Sequence, residues 1–201
     1  MMSQLTIADV IRPSDERLAV SYDIGLVLAG SAWIALCTQI AYGQPVPVTG
    51  QTFAVLLAGA VLGARRGALS VLAYIAEGLA GLPVFAQGKA GLLALAGPTG
   101  GYLVGFVAAA YVVGLLAQRG WDRRPNTTAL AMIAGNLVLY SFGLAWLFCL
   151  SSIFAKPLSS GVLSVGLYPF LFGDIIKIGI AVAILPLVWK IFGHFGIDKM
   201  A

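Results

Sequence analysis

Charged side chains are scarce in this chain of 201 residues, where Asp, Glu, Lys and Arg together make up only 10%. Soluble domains carry about 25% charged residues, so this chain has too few of them to cover a surface that faces water. Apolar residues make up 60%, and 25 residues are glycine, which membrane helices tolerate because it lets backbones approach closely. The composition therefore predicts an all-α integral membrane protein.

Cysteine, histidine and nucleotide-binding motifs are almost missing as well. Cys37 and Cys149 lie inside apolar runs without metal-ligand spacing around them, and His194 is the only histidine. The nearest approach to a phosphate-binding loop is Gly88 followed by Lys89, with no glycine five residues before Gly88 and no Ser or Thr after the lysine. These features predict no metal site and no cofactor, and they exclude ATP hydrolysis through a Walker A loop.

Long apolar runs dominate what the sequence does contain. A membrane-spanning helix needs about 20 mostly apolar residues, and six runs approach this length. The runs are 19–41, 46–64, 67–82, 100–118, 129–151 and 162–189. The second and third are short and interrupted by proline or by a charged residue. They either line a transport site with broken backbone or form tilted helices that are joined by a tight turn.

The basic residues indicate how these runs are oriented. They are not gathered into a patch the size of a nucleic-acid groove, so the net charge of +4 predicts no nucleic-acid partner. If six spans alternate, nine basic residues fall on one side, and only Lys89 and Lys156 fall on the other. The nine are Arg12, Arg17, Arg65, Arg66, Arg119, Arg123, Arg124, Lys190 and Lys199. Because Lys and Arg accumulate in cytoplasmic loops, both termini are predicted to be cytoplasmic.

The predicted organisation is one membrane domain between two polar tails. The six-helix domain covers residues 19–192, and the cytoplasmic tails cover 1–18 and 193–201. The N-terminal tail lacks the basic-then-apolar pattern of a signal peptide, so the first span is predicted to be retained. The expected location is the inner or plasma membrane, in a multi-pass arrangement within the lipid bilayer.

Small residues recur at four-residue spacing, which would place them on one face of a helix. Three such rows are Gly59, Gly63 and Gly67; Gly97, Gly101 and Gly105; and Ser21, Gly25 and Ala29. Rows of this kind allow close helix packing inside a membrane. The row on the first helix could instead receive a partner protein, so it is a candidate docking face.

A few polar side chains lie at predicted membrane depth. Asp174 and Lys177 are in the sixth run, where an isolated charge costs about 2.5–3.5 kcal/mol on insertion scales. Their three-residue spacing places them on one helix face. They either only neutralise each other or bind a polar ligand, because ionisable residues inside membranes mark substrate pathways. Asn136 in the fifth run either serves the same ligand or bonds to neighbouring backbone.

Two segments on the predicted outer side, 45–52 and 81–88 with 97–103, are punctuated by proline and glycine. Both contain amide, hydroxyl or aromatic side chains that could meet a solute arriving from outside. The candidate binding residues in these segments are Thr49, Gln51, Phe85, Gln87, Thr99 and Tyr102.

Four strings of this sequence resemble one known family. They are PVPVTGQTFAVLLAGAVLG (45–63), GLPVFAQGKAGL (81–92), GPTGGYLVGF (97–106) and PFLFGDIIK (169–177). In this order they resemble the BioY family, the biotin-specific S components of energy-coupling factor transporters. The resemblance implies a six-helix S-component fold that holds biotin near the extracellular side. It also implies coupling to a transmembrane T component and to a pair of cytoplasmic ATPase subunits.

The resemblance also implies roles for individual residues. The binding Asp and Lys of the family correspond to Asp174 and Lys177, and an amide on the fifth helix corresponds to Asn136. The ureido group of biotin has two N–H donors and one carbonyl acceptor, so Asp174 could accept and Asn136 or Gln51 could donate. Buried polar groups left unpaired cost about 1–3 kcal/mol each, which lets such a site reject close analogues. Aromatic walls for the apolar ring would come from Phe85, Tyr102 and Tyr168.

The sequence is therefore compatible with three functions. The first is binding and uptake of biotin, and the second is uptake of another vitamin by the same architecture. The third is an intramembrane enzyme, although no paired acids, metal ligands or Ser/His set occurs at membrane depth. On the first helix, the row Ser21, Gly25 and Ala29 leads to Trp33, which departs from the alanine-rich stripe by which S components meet the T component.

Overall fold

The computed structural model describes residues 5–43, 45–153 and 161–194, which form a helical bundle. Its helices are α1 (Ile7–Val10), α2 (Glu16–Thr38), α3 (Gln51–Leu62), α4 (Ala64–Leu79), α5 (Leu92–Ala96), α6 (Gly100–Ala117), α7 (Pro125–Ile153), α8 (Val162–Gly166) and α9 (Tyr168–His194). Strands β1 (Ala41–Tyr42) and β2 (Val48–Thr49) pair antiparallel, and short 3₁₀ turns cover Ala86–Gly88 and Trp121–Arg123.

Four helical segments are long and apolar enough to cross a bilayer, which confirms a mostly helical, multi-pass architecture. They are Glu16–Thr38, Gly100–Ala117, Pro125–Ser152 and Val162–Gly193. Helices α3 and α4 have 12 and 16 residues, so each falls short of the roughly 30 Å of a hydrocarbon core at 1.5 Å per residue. The count of six spans and the cytoplasmic orientation of both termini stay predictions.

The second apolar run, 46–64, becomes helical only from Gln51 onward. Its first residues form strand β2 and a turn instead, because Pro45 and Pro47 cannot donate backbone hydrogen bonds. Helix α3 ends at Leu62 and is followed by Gly63, whose φ of +85° is a conformation that glycine adopts without strain. Gly63 therefore separates α3 from α4 and lets the two helices pack side by side as a hairpin.

Two of the three predicted small-residue rows do not run along a single helix. Gly59 on α3 and Gly67 on α4 face each other across the hairpin, where a Cβ on Gly67 would lie 2.7 Å from the Cα of Gly59. Gly97 precedes α6, whereas Gly101 and Gly105 pack against α7. The prediction of one continuous face was wrong for these rows because the helices break inside them, although the close packing itself is present.

Helix α6 lies at the centre of the bundle and contacts α3, α4 and α7. Of the 18 residues of α6, 61% are buried inside the protein. For the apolar stretch of 18 residues in α2 the buried share is only 17%. Helix α2 is therefore peripheral, and most of its surface faces outward. This arrangement leaves α3, α6, α7 and α9 to surround the space that is described below.

The N-terminal segment folds back onto the bundle at the end opposite the β-strands. Thr6 caps α1, and Asp9 forms an ion pair with Arg66 at the start of α4. Arg12 also pairs with Asp23 at 2.7 Å. Burial raises the pKa of Asp9, but the hydrogen bonds from Thr6 and the Arg66 charge outweigh it and hold that pKa below its usual value. The described part of the predicted tail 1–18 is thus packed, and α2 begins at Glu16.

The same end of the bundle is closed by the turn between α6 and α7. The carboxylate of Asp122 accepts a hydrogen bond from Trp189 on α9 at 2.6 Å, and burial raises the pKa of Asp122 to about 6. The Arg123 guanidinium lies 4.2 Å from the centre of the Trp189 ring. Helix α9 continues through His194, so the predicted tail 193–201 is described only at its first two residues. Lys156 and Lys199 lie outside the described residues.

Candidate functional site

A cavity of about 630 Å³ opens at the loop end of the bundle, the end that carries segments 39–50 and 80–99. Both segments singled out in the sequence, 45–52 and 81–88 with 97–103, contribute to its walls. The lining residues are Val46, Pro47, Thr49, Gln51, Thr52, Tyr74, Phe85, Ala86, Lys89, Ala94, Thr99, Tyr102, Leu103, Phe106, Leu139, Tyr140 and Phe170.

Aromatic rings form much of the cavity wall. The Phe170 ring centre lies 6.3 Å from that of Tyr102 and 6.2 Å from that of Tyr140. On the other side, Phe85 meets Tyr74 edge-on at 5.5 Å. These distances are in the range of favourable aromatic contacts, so the rings support one another and offer flat apolar surfaces to a ring-shaped ligand.

Phe85 reaches this position because the loop before it packs tightly on α4. A Cβ at Gly78 would overlap the Phe85 ring, so a larger residue there would push the ring out of this position. The backbone N–H of Phe85 donates to the carbonyl of Lys89 at 3.0 Å, which closes a small hairpin. The hairpin turn contains Gln87 and Gly88, both with positive φ.

The charged pair on α9 lies directly beside the cavity. Asp174 is 4% exposed, and its Oδ1 lies 3.2 Å from the Lys177 ammonium. The Tyr140 hydroxyl donates to Oδ2 of Asp174, and the Thr52 hydroxyl lies 3.3 Å from Oδ1. Because Thr52 and Tyr140 also line the cavity, their hydroxyls connect the buried pair to the space where a ligand would sit.

Lys177 has a full set of hydrogen-bond acceptors. Its ammonium lies 2.8 Å from the Thr49 carbonyl, 2.7 Å from the Thr52 hydroxyl and 3.2 Å from Asp174 Oδ1. An ammonium has three N–H donors, so these contacts use all of them. The contact to Thr49 also ties α9 to strand β2, which helps to fix the shape of the cavity.

Two buried amide atoms in this region have no hydrogen-bond partner among the described residues: Gln51 Nε2 and Asn136 Oδ1. Gln51 faces the main cavity. Asn136 faces a neighbouring recess of about 200 Å³, which it shares with Thr52, Asp174 and Lys177. An unpaired buried polar atom costs about 1–3 kcal/mol, so a donor and an acceptor of this kind favour a polar ligand.

Comparison with known proteins decides the family, since the BioY family model matches residues 10–194. The chain belongs to the BioY family. It is 40% identical over 145 residues to "Biotin transporter BioY" of Rhizobium etli, covering 68% of this chain and 74% of that protein. It is also 40% identical over 160 residues to "Biotin transporter BioY" of Thermotoga maritima, covering 79% and 86%.

The fold of this BioY protein also matches a solved structure. That structure is described as the S-component for biotin from an ECF-type ABC transporter, and the TM-score is 0.69 at 25% sequence identity. The match covers 89% of this chain and 95% of the solved chain. The predicted S-component fold is thereby confirmed.

The structure gathers most of the predicted BioY site residues in one region. The main cavity is lined by Thr49, Gln51, Phe85, Thr99 and Tyr102. The adjoining recess is lined by Asn136, Asp174 and Lys177. Two predicted residues lie elsewhere. The exposed Gln87 donates to the Gly43 carbonyl at 3.2 Å, and Tyr168 is 58% exposed at the start of α9.

Several lining residues of this BioY protein were missed in the sequence. Tyr140 follows Asn136 by four residues on α7, so helical spacing alone could have placed both on one face. Thr52 adjoins Gln51 in the quoted motif and could have been included with it. Phe170 also lies in a quoted motif, 169–177, but the motif does not show which of its residues reaches the cavity, since that depends on the packing of α9 in the bundle.

The predicted docking row lies on the outward face of α2. Ser21, Gly25 and Ala29 are all exposed, and a Cβ at Gly25 would meet no atom within 4 Å. Trp33, one turn further along, is 43% exposed. Within the described part of the chain, this face of the BioY protein is covered by no other helix, which a docking role would require.

Proposed function

We propose that this chain is the substrate-binding S component of a biotin uptake transporter, a transport protein and not an enzyme. It binds biotin from the extracellular side and delivers it across the membrane together with an energising module. Membership of the BioY family carries the proposal. The cavity, with aromatic walls and unpaired amide atoms, supplies the matching chemistry.

Biotin would lie with its ureido group at the buried end of the cavity. The Gln51 amide would donate to the ureido carbonyl, and Asp174 would accept from a ureido N–H. A carboxylate offers about four lone-pair positions for hydrogen bonds. Among the described residues, Oδ2 of Asp174 accepts a hydrogen bond only from the Tyr140 hydroxyl, so it can accept a further one from the ligand. Asn136 would complete the polar end through its unpaired oxygen.

The rest of the predicted set would shape the cavity around the ring. Tyr102 and Phe85 would pack on the apolar faces of biotin, and Thr99 would lie near the mouth. Thr49 and Lys177 would hold each other and fix the orientation of Asp174. Gln87 would act only indirectly, by tying its hairpin to Gly43.

The proposal includes the cellular arrangement. Six helices would span the inner or plasma membrane, with both termini in the cytoplasm and the loop end outside. The domain 19–192 would form the membrane body, with polar tails at 1–18 and 193–201. A transmembrane T component would dock on the row Ser21, Gly25 and Ala29, and cytoplasmic ATPase subunits would supply the energy that this chain cannot obtain through a Walker A loop.

The proposal is tested by titrating the purified protein with radiolabelled biotin and, separately, with riboflavin and thiamine. We expect saturable binding of biotin at one site and none of the other two vitamins. The reason is that buried amide and carboxylate groups placed for a small ureido ring are not all paired by a ring system of different size and charge. Saturable binding of another vitamin in preference to biotin would assign the chain to that vitamin instead.

The topology is tested by cysteine labelling at position 89. In a background that carries Cys37→Ala and Cys149→Ala, we expect Lys89→Cys to react with a membrane-impermeant maleimide added to intact cells. Lys190→Cys, near the other end of the bundle, is the control and should react only after permeabilisation. The opposite pattern would place the loop end in the cytoplasm and contradict the proposed orientation.

A further inference from the structure

We infer that Lys89 recognises the carboxylate of the ligand at the mouth of the cavity, an inference that rests on the proposed function. Biotin is elongated, with its ureido group at one end and a carboxylate on a flexible chain at the other. If the ureido group occupies the buried end beside Asp174, the carboxylate points toward the loop end. The partner of this carboxylate is then expected among the cationic residues around the cavity.

Lys177 is excluded as the carboxylate partner by its own contacts. Its three donors are used by the Thr49 carbonyl, the Thr52 hydroxyl and Asp174. A ligand carboxylate could approach it only by displacing one of these acceptors. The negative charge of Asp174, 3.2 Å from the ammonium, would also repel an incoming anion.

Lys89, unlike Lys177, is open to a ligand carboxylate. Lys89 is the only charged residue among the described residues that line the cavity. Its side chain is exposed, and within the described ranges no carboxylate oxygen lies within 4.0 Å of its ammonium. The hydrogen bond from the Phe85 N–H to the Lys89 carbonyl fixes the backbone of the hairpin, so the Lys89 side chain begins beside the mouth and its ammonium is free to meet a ligand.

The shape of the mouth agrees with this position. A second recess of about 550 Å³ adjoins the main cavity and shares Lys89, Ala94 and Thr99 with it. The other residues of the recess include Pro45 and Leu93, which are exposed. A ligand tail that leaves the aromatic part of the cavity would therefore pass between Thr99 and Lys89 into solvated space, where a carboxylate keeps its hydration.

The test compares two ligands and three proteins. Biotin and biotinamide, in which a neutral amide replaces the carboxylate, are titrated into the wild type, Lys89→Gln and the matched control Lys190→Gln. We expect Lys89→Gln to weaken biotin binding roughly two- to fivefold, the range of an exposed ion pair, and to leave biotinamide binding unchanged. The loss should shrink as salt is raised, because exposed charges are screened. Lys190→Gln should change neither affinity.

Two outcomes would overturn the inference. Equal weakening of both ligands by Lys89→Gln would mean that the residue only shapes its hairpin. Unchanged affinity for both would mean that the carboxylate is recognised elsewhere. Failure of the wild type to bind either ligand is a different result, because it would refute the proposed function on which the inference rests.

Discussion

Replacing Asp174 by Asn and Lys177 by Met together will weaken biotin binding roughly 10- to 150-fold, the equivalent of about 1.5–3 kcal/mol for a lost charge-assisted hydrogen bond. The double change removes both charges, so neither is left buried without its partner and the protein should still insert and fold. What is lost is the carboxylate that orients the Tyr140 and Thr52 hydroxyls and accepts from the ligand. The measurement is a biotin titration of the purified double variant beside the wild type.

A matched control removes another oppositely charged pair at the far end of the bundle. Arg12→Met with Asp23→Asn eliminates the ion pair between these residues, 2.7 Å apart, without touching the cavity. It also removes the 3.3 Å contact of Asp23 with Arg66, which keeps its ion pair with Asp9. We expect this control to bind biotin like the wild type. If the Asp174 and Lys177 double variant also bound biotin with an unchanged dissociation constant, the pair would be a neutralised structural contact and not part of the site.

Replacing Gly59 by Val will destabilise the protein by about 1–3 kcal/mol, the usual cost of forcing extra atoms into a well-packed interior. A Cβ at Gly59 would overlap the carbonyl oxygen of Ala110 on α6. This neighbour is backbone, so it cannot rotate away, and α3 would have to move from α6. Because α3 carries Gln51 and Thr52, biotin binding should weaken as well. The measurement is the free energy of unfolding in detergent.

Gly179→Val is the matched control, because a Cβ at Gly179 on α9 would meet no atom within 4 Å. Valine is a better helix former than glycine, so this variant should be as stable as the wild type or slightly more stable. Equal stability of the two variants would show that the close contact between α3 and α6 does not limit side-chain size at Gly59.

The membrane class and the charged pair could be predicted from the sequence because both depend on local pattern. Low charge and long apolar runs leave no alternative to a bilayer, and the three-residue spacing of Asp174 and Lys177 places them on one face of any helix. The structure shows this pair joined at 3.2 Å, as the spacing predicts. The quoted motifs identified the family, which the match over residues 10–194 confirms.

Features that depend on backbone breaks or on three-dimensional packing were not predictable in the same way. Hydropathy cannot show that Gly63 adopts a positive φ, so the sequence predicts one helical face for the row that contains it. Gln87 has the chemistry of a ligand-binding residue, but the turn of its hairpin directs its amide to Gly43. Phe170 reaches the cavity only because α9 packs beside α7.

An experimental structure of this protein with biotin bound would test the proposed site without any intermediate assumption. We expect one biotin in the cavity at the loop end, with its ring between the aromatic walls. Its ureido group should lie within hydrogen-bond distance of Asp174 and Gln51, and its carboxylate should point toward the mouth beside Lys89. A biotin that lay outside this cavity, or that placed its carboxylate against Asp174 and its ureido group in solvent, would contradict the account.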